Sequence, residues 1–384
     1  MSVRFVSADF FKEGLTLREG SIRQIGASGL SVVLVGNLLL SSKIADERKN
    51  NPALFYVDPA NPQEILNYLI SIGRLSKQAD KLKLSKAGDG NMNLTLRVEA
   101  EGQSFILKQA RPWVEKYPQI AAPASRLEVE FAFYQSCSMD GVLQKHTPGV
   151  LFFDPENRIE LLEDLGEGED LGALYRGGVL SSDELSQLAE ILSHIHSLKL
   201  SSQQRKVFQN QRMKDLNHFH IFVFPFDLGN GFNLDEITLG LSDDLLRFTS
   251  LPARMEKISR LADLYLESGD SLLHGDFYPG SFLKRERVFL IDPEFAHVGM
   301  REFDLGVFIA HLHLSSQKDG LIEDFLNAYR NSGGDSFDRP LLEAMAGIEI
   351  SRRLLGVAQL PIHLNREDKR KLLLKSSSYI DAWS

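Results

Sequence analysis

The sequence predicts an α+β chain of two lobes, a β-rich one followed by a helical one. Three observations predict it. Between Leu82 and Lys108 short apolar runs alternate with glycine turns. Beyond about Leu165 the apolar residues fall at helical spacing. With 384 residues, 43% of them hydrophobic, the chain is long enough for more than one core.

The elements follow in order. Residues 1–58 carry short β-like runs, Ser31 to Val35 the strongest, and read as a β-rich N-terminal extension. Within it the glycine-rich segment Ile25 to Ser31 reads as a plain turn. Asp58-Pro59-Ala60-Asn61-Pro62 punctuates the chain, and a helix over 62–72 starts with proline in its first turn. Residues 59–164 then read as the β-rich lobe. Lys83 to Lys86 is a strand, Gly88-Asp89-Gly90-Asn91 a glycine turn, and Leu94 to Val98 and Ser104 to Lys108 are two further strands. A hairpin tipped with glycine lets backbone amides come close to a phosphate, and a lysine one strand later can reach the same group. A helix over 126–135 carries Glu128 and Glu130. Two residues apart, they point in different directions, so only one of them can pair with Lys108. Ile159 to Leu162 is the last strand, and Glu163-Asp164-Leu165-Gly166 a hinge whose backbone could meet an adenine edge.

Residues 165–384 read as the helical lobe. Ser181 to Glu184 is a capping box ahead of Leu185, Leu188, Leu192 and Ile195. His194 and His196, two apart on that helix, are structural or surface residues and not ligands on one face. The aromatic run from His218 to Phe226 lacks neighbouring lysines and arginines, so it reads as core or packing surface and not as a base-stacking platform. Arg339-Pro340 opens a late helix that carries Arg352 and Arg353 and ends at Gly356.

Composition narrows the function. The net charge is −9 and no basic tract occurs, which argues against bulk binding of nucleic acid or an anionic membrane. The single cysteine, Cys137, permits neither an internal disulfide nor a cysteine metal cluster. The longest apolar stretch, Gly29 to Leu40, falls short of the roughly 20 residues of a membrane helix. A cytoplasmic protein is expected.

The chemistry is concentrated in His274-Gly275-Asp276-Phe277-Tyr278-Pro279-Gly280-Ser281 and in Asp292-Pro293-Glu294. Arg287 to Ile291 between them reads as a buried strand that delivers Asp292 beside Asp276. Phosphoryl transfer needs one carboxylate to orient a hydroxyl and others to hold magnesium against nucleotide phosphates.

Taken together, the glycine hairpin, Leu107-Lys108-Gln109-Ala110, Glu163-Asp164-Leu165, the 274–281 loop, Asp292 to Glu294 and Arg352-Arg353 resemble the aminoglycoside-phosphotransferase-like branch of the protein-kinase fold, and within it the 5-methylthioribose kinases. The resemblance runs from about residue 60 to the C-terminus. It implies a two-lobed kinase that uses ATP and Mg2+ to phosphorylate a hydroxyl of a small sugar. By that resemblance Asp276 orients the hydroxyl, and Asp292 and Glu294 hold magnesium. Gly88, Asp89, Gly90, Asn91 and Lys108 meet the nucleotide, Glu128 pairs with Lys108, and Glu163 and Leu165 lie at the hinge. Arg352, Arg353 and Tyr278 face the acceptor, only one arginine being expected to point into the cleft because adjacent helical residues diverge by about 100°. Asp304 braces the catalytic loop. The partners expected are the small substrate and, as one option, a second copy in a homodimer.

Two departures bear on the acceptor. Tyr278-Pro279 stands where methylthioribose kinases usually have His-Thr, and the loop from Arg111 to Ala124, with Trp113 near its start, is short. A related pentose, another small alcohol or an aminoglycoside are the alternative acceptors. A catalytically dead nucleotide-binding module is the alternative from another class.

Overall fold

The computed structural model describes residues 43–44, 47–88, 90 and 92–384. The expected strand at Ser31 to Val35, and Asp89 and Asn91 of the glycine turn, lie outside the described residues. Among the described residues between 43 and 58 there is no strand; residues 47–50 are helical instead. The described residues form two compact units. The first runs to Leu127 and takes in Leu151–Asp164. The second comprises Glu128–Val150 and Leu165–Ser384.

The first unit is a five-stranded sheet in the order β1-β2-β3-β7-β6. Its strands are β1 (Lys83–Lys86), β2 (Leu94–Ala100), β3 (Gln103–Gln109), β6 (Val150–Asp154) and β7 (Ile159–Glu163); β4 (Trp113–Val114) and β5 (Tyr117–Ala121) form a separate hairpin. On β2, Leu94, Leu96, Val98 and Ala100 are buried and alternate with half-buried Thr95, Arg97 and Glu99. This period of two sets one apolar face. The register stacks Leu96 on Leu107 on Leu161. Helix α1 (Pro62–Ser71) covers that face with Ile65, Leu66 and Leu69. One step along, Thr95, Lys108 and Glu160 share the register, so Lys108 projects to the opposite face. The buried Gln109 amide accepts from the Val57 N–H (2.9 Å) and donates to the Phe55 and Asn157 carbonyls (2.7 and 3.1 Å). It ties the chain before α1 to the sheet.

Helix α2 (Arg126–Cys137) leads into the second unit. Cys137 is buried there, and burial pushes its thiol far up. The helices α3 (Ser182–Ser197), α4 (Ser202–Val207), α5 (Gln211–His218), α6 (Leu234–Ile237), α7 (Leu241–Thr249) and α8 (Pro252–Leu266) follow. The capping box of α3 is complete: Ser181 accepts from the Glu184 N–H, and the Glu184 carboxylate accepts from the Ser181 N–H at 2.8 Å. The aromatic run becomes a π-helical turn, Phe219–Val223, and a 3-10 turn, Phe224–Phe226, with Ile221, Phe222, Phe224 and Phe226 buried in the core. His194 pairs with Asp140 (3.0 Å), and buried His196 bonds Tyr329 (2.9 Å), so both are structural.

Short strands carry the loops of interest. β8 (Glu169–Asp170), β10 (Phe282–Lys284) and β11 (Val288–Leu290) form one sheet, and β9 (Ser271–Leu273) pairs antiparallel with β12 (His297–Gly299). Helices α9 (Arg301–Leu314), α10 (Gly320–Asn331), α11 (Arg339–Leu355) and α12 (Arg366–Ala382) complete the unit, with α11 packed between α9 and α12. Asp338 caps α11 by accepting from the Leu341 N–H at 3.1 Å, with Pro340 in the first turn. Among the described residues no helix is long and apolar enough to cross a membrane.

Candidate active site

The β9–β12 pairing places Leu273 opposite His297. Because the strands are antiparallel, the loop leaving β9 and the loop entering β12 emerge at the same end. His274 to Ser281 is the first loop and Asp292 to Ala296 the second. They touch at Gly275, which has φ +82°; a Cβ there would lie 2.3 Å from the Phe295 carbonyl oxygen. Only glycine satisfies both the left-handed backbone and this approach.

Two buried groups fix the loops. Asp304, in the first turn of α9, accepts the N–H groups of His274 (2.7 Å) and Gly275 (3.0 Å), and His196 Nε2 faces it at 3.5 Å. Burial pushes this carboxyl up, but the His196 contact and the nearby His274 outweigh it and hold it below the usual carboxylate range. The His274 imidazole, kept neutral by burial, accepts from the Asp276 N–H through Nδ1 (3.4 Å) and donates through Nε2 to the Ile291 carbonyl (3.1 Å). One ring therefore links the loop of Asp276 to the strand end before Asp292. The Ser281 hydroxyl donates to the Asp276 carbonyl (2.8 Å), and the Ile291 N–H to the Ser281 carbonyl (2.9 Å).

Asp276 is half-buried and faces two arginines of α11. Arg353 Nη2 donates to its Oδ1 at 3.2 Å, and Arg352 Nη1 lies 3.8 Å from the same oxygen. Both side chains therefore reach Asp276, where one had been expected to point away; their length spans the angular offset. Glu349, one turn earlier, holds the pair, accepting from Arg353 Nε (2.5 Å) and Arg352 Nη1 (3.0 Å). Burial alone would raise the Glu349 carboxyl, but the two guanidinium groups hold it well below the usual range. His311 Nε2 donates to Glu349 (3.2 Å), and its Nδ1 accepts from the Tyr175 hydroxyl (2.6 Å). Burial pushes His311 down to about 4, so it is neutral. The Tyr278 ring lies under the Arg353 guanidinium, 4.7 Å from its centroid, and burial together with Asp276 pushes its phenol up to about 12.

Asp292 sits in the left-handed region at φ +59°, and its N–H donates to the Tyr134 hydroxyl at 3.2 Å. Glu294 is buried, and its carbonyl accepts from the Asn210 amide at 3.1 Å. Among the described residues no group of three or more His, Cys, Asp or Glu side chains could form a protein-only metal cage. Two carboxylates fit magnesium differently, since that ion takes one or two carboxylates and completes its shell with substrate phosphates and water.

In the first unit Lys108 is buried on β3. Gly88, at φ +73°, and Gly90 are exposed. Buried Arg126 donates to Asn93 Oδ1 (2.8 Å) and to the carbonyls of Met92 (2.8 Å), Arg111 and Pro123 (2.9 Å each), which fixes the chain just after the glycine turn. Trp113 is core, packed with Ile44 and Tyr56. Arg97 grips Asp164 through two bonds (2.8 and 3.0 Å), Glu163 is exposed at the end of β7, and in the second unit the Leu165 carbonyl accepts from Arg285. On α2 Glu128 is exposed, whereas Glu130 is fully buried.

The sequence reading missed Glu349, His311, Tyr175 and Tyr134. For Glu349 a signal existed: it stands three and four positions before the arginines, the spacing at which helical side chains meet.

The model of the phosphotransferase enzyme family matches residues 83–344, more than half of the chain. The chain belongs to the phosphotransferase enzyme family. It has the α+β, protein-kinase-like fold that the sequence predicted, with a β-sheet unit and a helical unit. Among similar proteins, the methylthioribose kinase of Exiguobacterium sibiricum is 29% identical over 248 residues, 60% of this chain and 61% of that protein. The methylthioribose kinase of Bacillus pumilus is 25% identical over 333 residues, 74% of this chain and 81% of that one. The methylthioribose kinase of a Geobacillus species is 24% identical over 364 residues, 82% and 88% of the respective chains. In the first of these matches the chain spans less than two thirds of its relative's length.

Proposed function

We propose that this phosphotransferase is an ATP- and magnesium-dependent kinase that transfers the γ-phosphoryl group to a hydroxyl of a small sugar, 5-methylthioribose or a related pentose. The observation that carries the reading is Asp276: a half-buried carboxylate, on a loop braced by Asp304 and His274, facing two buried guanidinium groups. In this role Asp276 orients the attacking hydroxyl and takes its proton. Arg352, Arg353 and Tyr278 line the acceptor's side of that carboxylate. Arginine suits this because its planar fork donates to sugar hydroxyls and to the transferring phosphoryl oxygens.

Asp292 and Glu294 are the proposed holders of magnesium, which when bound offsets phosphate charge. Lys108 and the backbone at Gly88, Asp89, Gly90 and Asn91 are the proposed phosphate contacts, and Glu163 and Leu165 the adenine-edge contacts. The printed names of the relatives support a methylthioribose acceptor. The Tyr278 ring against Arg353 supports a pocket of altered shape, hence the related pentose.

An ATP-consumption panel tests the reading, with 5-methylthioribose, other pentoses, hexoses, small alcohols and aminoglycosides as acceptors. Turnover is expected on methylthioribose or a close pentose. Turnover on aminoglycosides alone would overturn the substrate assignment, and ATP binding without turnover on any acceptor would overturn the enzyme.

A further inference from the structure

Arg352 and Arg353 are adjacent on α11, yet their surroundings differ. Each nitrogen of Arg353 has an acceptor. Its Nε donates to Glu349 Oε1 (2.5 Å), its Nη1 to the Ala358 carbonyl (3.4 Å) and its Nη2 to Asp276 Oδ1 (3.2 Å). Its face rests on the Tyr278 ring, and the side chain is buried. Burial would weaken its charge, but Glu349 and then Asp276 outweigh that and raise its pKa. No nitrogen of this fork remains without an acceptor.

Arg352 is arranged otherwise. Its contacts run through one nitrogen, Nη1, which donates to both Glu349 oxygens (3.0 and 3.3 Å) and lies 3.8 Å from Asp276. Its Nε is buried and has no hydrogen-bond acceptor among the described residues, although the residue is only 8% exposed. A buried donor without an acceptor is costly in a native structure, and one beside a reactive carboxylate is suited to an oxygen that arrives with a ligand. Burial, and then the Arg352 charge, push the His220 imidazole down to about 4, so this ring is neutral.

We infer that the arginine pair divides its labour, and that Glu349 enforces the division. Arg353, locked by Glu349, the Ala358 carbonyl and the Tyr278 ring, is a positioning residue that holds the Asp276 carboxylate in line. Arg352, anchored to Glu349 through one nitrogen, keeps its remaining donors for an oxygen of the acceptor. Glu349 accepts from both guanidinium groups and so fixes where each one stands relative to Asp276.

This inference rests on the kinase reading above, and its test separates the two. Purified wild type, Arg352→Lys, Arg353→Lys and Glu349→Gln are assayed with saturating ATP and the best acceptor from the panel, 5-methylthioribose first. Lysine keeps the charge and removes the fork. Arg352→Lys should raise the acceptor KM about tenfold or more and change kcat little, as loss of a ground-state contact does. Arg353→Lys should lower kcat by about tenfold or more and leave the acceptor KM near its wild-type value, since a misplaced catalytic group costs rate and not binding. Glu349→Gln should behave like Arg353→Lys, with kcat lowered about tenfold or more and the acceptor KM near its wild-type value, because the anchor of Arg353 is weakened. A Glu349→Gln protein with a lower melting temperature but wild-type kcat at a temperature where it remains folded would overturn its role. Equal increases in acceptor KM for both lysine variants would overturn the division of labour. Should Glu349→Gln fail to fold, the split between the lysine variants still decides. A wild type that phosphorylates no acceptor would overturn the kinase reading and this inference with it; an active wild type with indistinguishable lysine variants would overturn this inference alone.

Discussion

Asp304→Asn probes the frame on which the site depends. The Asp304 carboxylate is fully buried and accepts the N–H groups of His274 and Gly275 at 2.7 and 3.0 Å. Asparagine keeps one acceptor oxygen and turns an NH2 group toward the other donor. One charge-assisted hydrogen bond is lost, worth about 1.5–3 kcal/mol, and a buried donor is left unpaired at about 1–3 kcal/mol more. Relief of the buried charge offsets part of this, which leaves a net loss of roughly 2–4 kcal/mol. At about 2–4 °C per kcal/mol for a unit of this size, the melting temperature should fall by roughly 5–15 °C. The loop should also shift Asp276 against its arginines, and a displacement near 1 Å costs roughly a hundredfold in rate. The assay is a thermal melt followed by kcat at a temperature where the variant remains folded. A melting temperature within about 2 °C of wild type, with turnover within about twofold, would refute the reasoning, because a loss near 2 kcal/mol could not hide in either reading.

Three further predictions follow from single contacts. Gly275→Ala sets a Cβ 2.3 Å from the Phe295 carbonyl oxygen at φ +82°, so it should cost activity and roughly 1–3 kcal/mol or more of stability, read by kcat and urea unfolding; wild-type values for both would show that the two loops are not in fixed contact. Acidification should destabilise the protein through His297, which burial, and then Lys214, push down to about 4. Its folded value lies below the unfolded one near 6.5, so the unfolded chain binds more protons between these limits; the stabilisation is complete above about pH 6.5 and is lost as pH falls toward 4, amounting to about 2 kcal/mol by pH 5. Urea unfolding at pH 7 and pH 5 checks this, and His297→Phe, if it folds, should show a smaller difference. Glu294→Ala should raise the magnesium concentration needed for half-maximal turnover, and an unchanged magnesium titration would make Glu294 a structural residue.

Much of the frame was legible in the sequence because it rests on local rules. The alternation on β2, the capping box at Ser181 and Glu184, and the proline at the start of α11 are set by period, cap and fixed φ, and all three occur in the structure. The candidate site was legible as motifs but not as a network. Glu349 meets Arg352 and Arg353 within one helix, but nothing local announces that His311 on α9 and Tyr175 beyond β8 join it. Those contacts exist only once α9 packs against α11. The burial of Glu128 and Glu130 was illegible for a related reason: both suit α2 equally by propensity, and only tertiary packing buries Glu130 and exposes Glu128. The two arginines show the limit of helical-wheel geometry. The wheel places the Cα atoms, whereas these long side chains bring both guanidinium groups to one carboxylate.

The most direct test of the account is the turnover of Asp276→Asn. Asparagine preserves the shape of the residue and a hydrogen-bond acceptor for the arginines but cannot take a proton. The account predicts that ATP still binds with an affinity near that of wild type, while kcat on the preferred acceptor falls by about 10²–10⁴, the usual worth of a positioned general base. A folded Asp276→Asn protein with turnover close to wild type would contradict the assignment of Asp276 as the residue that activates the acceptor hydroxyl.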